Sequence, residues 1–146
     1  MSGRGRPAAG GAGRQRGASS IELAMLTPLL LVVIGVTIQF ALLYHARHVA
    51  LAAAQAGARV ARASAEEDPD GWQALARAKS RDYVRAIGPN LLERPQLVPL
   101  IRADAAGNPL EVGMEVRGTA VRLVPFLTLT VSERSLGPVE RFVPDA

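Results

Sequence analysis

Residues 23–44 read LAMLTPLLLVVIGVTIQFALLY, a run of 22 residues without a charge. At about 1.5 Å per residue a helix of this length reaches roughly 33 Å, enough for the hydrocarbon core of a bilayer. The run therefore predicts a transmembrane helix. Immediately before it stands a lone acid, Glu22. A carboxylate that enters lipid unpaired costs about 3 kcal/mol, so an acid at this edge marks a functional position or a helix cap. Pro28 lies inside the run. In a soluble helix interior it would cost about 3 kcal/mol, whereas membrane helices tolerate proline with a kink.

Outward toward the N-terminus, residues 1–17 hold six Gly, four Arg (Arg4, Arg6, Arg14, Arg16) and no acid. Such a stretch has nothing to bury and is expected to be disordered. Ser19-Ser20-Ile21-Glu22 places a serine three residues before a glutamate, a capping-box pattern that predicts a helix start near Ser19 or Ser20. In that reading Glu22 also sits near the positive end of the helix.

Outward in the other direction, residues 45–67 read HARHVALAAAQAGARVARASAEE, with Gly57 as the only breaker. The helix is thus predicted from about residue 19 to 64, longer than a membrane requires. Ala46, Ala50, Ala53, Ala54, Gly57, Ala58 and Ala61 recur at three- and four-residue spacing. Small side chains on one face permit close approach of a second helix, so Ala50, Ala54, Gly57 and Ala61 are candidate packing positions. Arg47, Arg59 and Arg62 are expected to face water or lipid headgroups.

Asp68-Pro69-Asp70-Gly71 ends the long helix, with Asp70 the expected cap of the next one. Trp72, Leu75, Ala76, Lys79 and Tyr83 open an amphipathic helix that should stop near Ile87, before Gly88-Pro89. The period then changes. Leu110, Val112, Met114 and Val116 alternate with Glu111, Gly113, Glu115 and Arg117, a half-buried strand. Leu97–Arg102 precedes it across a hairpin-like turn at residues 104–109. A further strand is read at residues 127–132 and a short one at Val139–Val143. The fold class is α+β: a long N-terminal transmembrane helix continuing into a soluble helix, a second short helix, and a small antiparallel C-terminal sheet.

Composition narrows the function. Of 146 residues about 100 remain beyond leader and span, room for one small domain. No cysteine is present, which excludes disulfides, thiol catalysis and cysteine-based zinc sites. The formal charge is +4, but the arginines are dispersed and form no basic stripe with interleaved aromatics, so no nucleic-acid partner is expected. His45 and His48 lack further ligands and read as residues at the membrane exit. Glu66, Glu67, Asp68 and Asp70 lack the spacing and bidentate glutamate of a calcium loop. Ser19, Ser20 and Ser64 have no glycine elbow or partner histidine. The chain is expected not to be an enzyme, with no cofactor, no metal and no small-molecule substrate.

Three fates for the N-terminus remain open. The apolar run is longer than the 7–15 residues of a secretory signal, and Tyr44-His45-Ala46 is a poor cleavage site, although Ala50-Leu51-Ala52 would serve a secreted small domain. Cleavage could instead fall before the run, after Gly17, making Ala18 the first residue. Or the chain stays whole, as an unprocessed single-pass anchor for an interaction protein of a secretion complex.

Gly17, four uncharged residues, Glu22 and then an apolar helix is the pattern of type IV prepilins and pseudopilins. The stretch RGASSIELA at residues 16–24, with Pro28, Gln39-Phe40 and AQAGAR at 54–59, resembles the TadE-like family of the tight-adherence (Tad) pilus system. The strand-rich end, VRLVP at 121–125 and LTLTV at 127–131, is also similar to that family's tail. The resemblance implies a type IV pilin-like subunit, cut between Gly17 and Ala18 by a membrane-embedded prepilin peptidase. Glu22 would then recognise the new amino group of a neighbouring subunit. Major pilins of the system carry Tyr after this Glu; Leu23 stands here, which implies an accessory pseudopilin. The expected organisation is a cytoplasmic leader (1–17), a transmembrane helix (18–45) and an extracytoplasmic α+β domain (46–146), the charge bias across the span being small. Expected partners are the membrane, the peptidase and other pilin-like or Tad-complex subunits.

Overall fold

The computed structural model describes residues 14–140. The order of elements is α1 (Arg14–Ser64), α2 (Trp72–Ile87), β1 (Leu92–Ala103), β2 (Pro109–Ala120) and β3 (Thr130–Pro138). The fold is α+β, with a three-stranded antiparallel sheet in the order β1-β2-β3. The chain divides into two compact units, Met1–Thr37 and Ile38–Ala146.

In the first unit the described part is helix. It begins at Arg14, five residues before Ser19, so the capping-box expectation is corrected: Ser19 lies inside a helix, not at its end. Arg and Gln are good helix formers, and a helix already propagating adds one hydrogen bond per residue. Gly17 weakens this stretch by about 1 kcal/mol relative to Ala without ending it. The expected disorder of the leader is corrected for residues 14–17, while residues 1–13 lie outside the described residues. The helix passes through Pro28 unbroken.

In the second unit the small-residue side of α1 meets α2 and the sheet. One cluster joins Ala46, Ala50, Ala53 and Ala54 to Val84, Leu92, Val116, Ala120 and Val131. A second joins Ala61 and Ala65 to Trp72, Ala76, Val112 and Met114. Alanine removes little apolar surface from water, so the larger members, Trp72 and Met114 among them, carry most of the burial energy.

Asp70 is not the cap of α2. The N-cap is Gly71, without a side-chain cap bond, and its N–H donates to Asp68 Oδ1 at 2.9 Å. The carboxylate three residues earlier reaches the donor because Pro69 and Asp70 turn the chain back on itself. At the far end the Gly88 N–H donates to the Val84 carbonyl at 2.9 Å. A Cβ at Gly88 would press on Val49, which is why the chain turns there on a glycine.

The turn after β1 is closed by Asp104. Its carboxylate accepts from the backbone N–H groups of Ala106 and Asn108, both at 2.8 Å, and Gly107 takes the left-handed φ of 86° that the turn needs. The backbone N–H and side-chain amide of Asn108 hold the Asp104 carboxyl below the usual carboxylate range. Both edge strands carry prolines, Pro95 and Pro99 in β1 and Pro138 in β3, which cannot donate to an added strand.

Two strand expectations change. β2 is not half-buried: residues 112–116 are buried without interruption, Gly113 and Glu115 included. As the central strand it is flanked on both edges. A Cβ at Gly113 would collide with the Ser135 carbonyl of β3. The strand read at residues 127–132 begins instead at Thr130 and runs to Pro138. Residues 121–129 are spent on an excursion whose end returns when the Ala120 N–H donates to the Leu129 carbonyl at 2.9 Å, and pairing with β2 starts at Thr130 opposite Thr119. Val139 and Glu140 form no strand. Their N–H groups donate to the carbonyls of Leu110 and Arg62, and residues 141–143 of the expected short strand lie outside the described residues.

Candidate functional site

Two surfaces of α1 carry the functional question. The first is the apolar face in the stretch up to Thr37. Ile21, Leu23, Met25 and Leu29 are each at least 60% exposed, and among the described residues one helix, Ser20–Ser64, is long and apolar enough to cross a membrane, an 18-residue stretch of it having a mean hydropathy of 2.3. The Thr27 hydroxyl donates to the Leu23 carbonyl at 2.7 Å and the Thr37 hydroxyl to the Val33 carbonyl at 2.8 Å. Each hydroxyl is satisfied one turn back, as apolar surroundings demand. Glu22 stands exposed in this stretch, and among the described residues it forms no ion pair. Gly17 and Ala18 lie in helical backbone.

The second surface is the small-residue stripe. Ala50, Ala54 and Ala61 are fully buried. Gly57 faces α2 and the sheet together. A Cβ there would collide with Ser80 Oγ and come within 2.7 Å of Met114 Cγ and 3.0 Å of the Ala76 carbonyl oxygen. Close by, the buried Ser80 hydroxyl donates to the Ala53 carbonyl at 3.0 Å. Such backbone-level contact between α1 and α2 requires the alanines and the glycine.

The three arginines of this half divide. Arg47 and Arg59 are exposed, Arg47 pairing with Glu133 at 3.0 Å. Arg62 is not on the open side: its side chain is 26% exposed and lies against Gly137 of β3. The β3 shift brings that glycine opposite, which the sequence pattern did not reveal. His45 and His48 are exposed, and the His48 ring stacks edge-on against Tyr44 at 4.3 Å. Among the described residues no cluster of three or more His, Cys, Asp or Glu is placed to hold a metal.

Two polar residues stand out to which the sequence reading gave no partner. Gln39 lies inside the apolar run and is fully buried. Its Nε2 donates to the Val121 carbonyl at 3.0 Å, and its Oε1 accepts from the N–H groups of Leu123 at 2.7 Å and Val124 at 3.2 Å. A single amide in an uncharged run was the available signal, since such a group must find partners. Glu115 is the second. Arg117 donates to it at 2.8 Å and the Ser132 hydroxyl at 2.6 Å, and these bonds outweigh burial in holding its carboxyl below the usual range.

A family model described as TadE-like protein matches residues 17–59. That part of the chain, less than half of it, is similar to the family. No curated protein matches the chain, and no solved structure does. The TadE-like segment opens at Gly17, contains Glu22, the apolar run and Gln39, and closes within the small-residue stripe at Arg59. α2 and the sheet lie beyond it, so the similarity read in residues 121–131 is outside the matched residues.

Proposed function

We propose that the protein is a membrane-anchored, pseudopilin-like component of a Tad-type pilus apparatus, not an enzyme. The observation that carries this reading is the coincidence at Gly17, where the basic leader ends and the TadE-like segment begins. In this proposal the leader lies in the cytoplasm, α1 crosses the membrane once, and the α+β part lies outside. A prepilin peptidase cuts between Gly17 and Ala18. Glycine offers no side chain to obstruct the protease and makes local unwinding of the helix easier. Glu22, five residues into the mature chain, then meets the new amino group of a neighbouring subunit. A carboxylate at the edge of lipid demands a cation, and a terminal amine supplies one.

The continuity of α1 through Gly17 and Ala18 favours a second reading, because a helical peptide bond must unwind before a protease can cut it. In that reading the chain remains an unprocessed single-pass anchor in a secretion complex. Intact-mass measurement of the native protein separates the two. Processing gives a chain starting at Ala18, and Gly17→Val restores the full mass. A native chain that keeps residues 1–17 overturns the pseudopilin reading. Glu22→Ala should leave membrane insertion intact and reduce co-purification with other pilin-like subunits; unchanged co-purification would leave Glu22 without a role in assembly.

A further inference from the structure

The excursion between β2 and β3 has a composition unlike the rest of the second unit. Residues 121–127 read VRLVPFL, with one cation and no acid. Phe126 is 83% exposed and Leu123 is 51% exposed. A free loop of that kind in water would leave its largest apolar groups unsatisfied for no return.

This loop is not free. Gln39 holds it by three hydrogen bonds, to Val121, Leu123 and Val124. Gln39 belongs to the uncharged run of residues 23–44. If a hydrocarbon core of about 30 Å is measured along the helix from Glu22, it ends after about 20 residues, near Leu42. Gln39 falls just inside that boundary, so a loop fastened to it sits at the outer edge of the lipid.

The backbone of the loop fits such a place. Buried in lipid, a peptide N–H must bond within the protein. The N–H of Val121 donates to the Leu91 carbonyl, those of Leu123 and Val124 to Gln39, and that of Leu127 to the Val124 carbonyl, while Pro125 has none. Among the described residues the N–H groups of Arg122 and Phe126 have no protein partner and need water or headgroup oxygens, which places the loop at the interface and not in the hydrocarbon core. The Val124–Leu127 bond closes a turn with Pro125 and Phe126 at its apex. Arg122 is exposed at the base of the loop, in reach of lipid phosphates.

We propose that residues 121–127 form a second, interfacial membrane anchor, with Phe126 and Leu123 inserted among the lipids beside the end of the transmembrane helix. This rests on the reading of residues 23–44 as a membrane span. The anchor fixes the sheet against the bilayer surface, which a single helix alone would not do.

The chain has no cysteine, so one introduced cysteine gives one label site. The full-length protein is reconstituted in vesicles of phosphatidylethanolamine and phosphatidylglycerol. Three variants, Phe126→Cys, Val32→Cys and Ala106→Cys, each carry a polarity-sensitive fluorophore. Position 126 should emit at blue-shifted wavelength and be quenched by lipids spin-labelled near the headgroup. Position 32 should be quenched by lipids labelled deep in the chain, and position 106, in the turn after β1, by neither. Water-like emission at 126 with deep quenching at 32 overturns the anchor alone. Blue-shifted emission at 126 without lipid quenching also overturns it, because protein then covers the loop. Failure at 32 overturns the membrane span and the anchor together.

Discussion

Along α1 side-chain size and exposure run opposite to the order expected in water. From Leu29 to Val33 the aliphatic side chains are between 54% and 63% exposed, while Ala46, Ala50, Ala53, Ala54, Ala58 and Ala61 are at 0%. Fully burying a large aliphatic side chain contributes about 1.5–3 kcal/mol, so one left somewhat more than half exposed in water forgoes roughly 1–2 kcal/mol. Five of them together approach the whole stability of a domain, about 5–15 kcal/mol. The first stretch is therefore built for a solvent that does not penalise leucine, and the second for contact with protein. In the second stretch small size matters more than hydrophobicity, because the backbones of α1 and α2 must meet.

The largest test of this contrast is Gly57→Leu. The new side chain would enter space held by Ser80, Met114 and the Ala76 carbonyl. Overpacking at such a point should remove about 3 kcal/mol. Trp72, the single and buried tryptophan, reports it by fluorescence during urea unfolding in detergent. Arg59→Leu on the exposed side of the same turn should change stability by less than about 0.5 kcal/mol. Equal tolerance of both would erase the distinction between the two sides of α1.

Gln39→Leu comes next. It conserves the apolar character of the run but orphans the Val121 carbonyl and the N–H groups of Leu123 and Val124. The loss should be about 2 kcal/mol. Faster hydrogen exchange confined to residues 121–129 would locate it; unchanged exchange there would mean that Gln39 does not hold the loop.

A smaller effect belongs to Glu115. Its carboxyl is held low mainly by Arg117 and then by Ser132. A carboxylate depressed in the folded state contributes stability that is present above its unfolded pKa and is lost as pH falls through the folded one. Stability should thus decline below the ordinary carboxylate range. Glu115→Gln should lower stability by about 1 kcal/mol at neutral pH and flatten that acid limb in a series of urea titrations. An unaltered limb would assign it to Asp104 or other carboxylates.

The smallest expected change is Leu30→Ala in the apolar stretch. In lipid the removed atoms have lipid, not protein, as neighbours, so unfolding of the α+β unit should shift by less than about 0.5 kcal/mol. A loss above about 2 kcal/mol, the range of a core leucine, would show that Leu30 packs on protein.

Much of the fold was legible because its signals are local. The uncharged run, the small-residue period, the break at Asp68–Gly71 and the stop at Gly88-Pro89 each act within a few residues of themselves. The start of α1 was misplaced because a capping pattern was weighed without the helix formers before it. The start of β3 was misplaced by three residues because Leu127 and Leu129 alternate with Thr128 and Thr130 as in a strand, yet pairing with β2 begins only at Thr130, opposite Thr119, a register set by residues distant in the chain. Of the candidate site, Glu22 and the stripe could be named from spacing alone. Gln39 could be noticed but not assigned a partner, and Arg62 could not be told from Arg59.

The sequence by itself determined where an apolar helix lies, which side chains on it are small, and that α2 and an antiparallel sheet follow. Those follow from period, charge and breakers, which are properties of neighbouring residues. Only the tertiary structure decided what the small residues touch, that β2 is the central strand and is buried from residue 112 to 116, and that one amide inside the apolar run fastens the loop between β2 and β3. Each of these depends on partners distant in the chain. Such pairings arise only when burial and hydrogen bonding are satisfied across the whole unit at once.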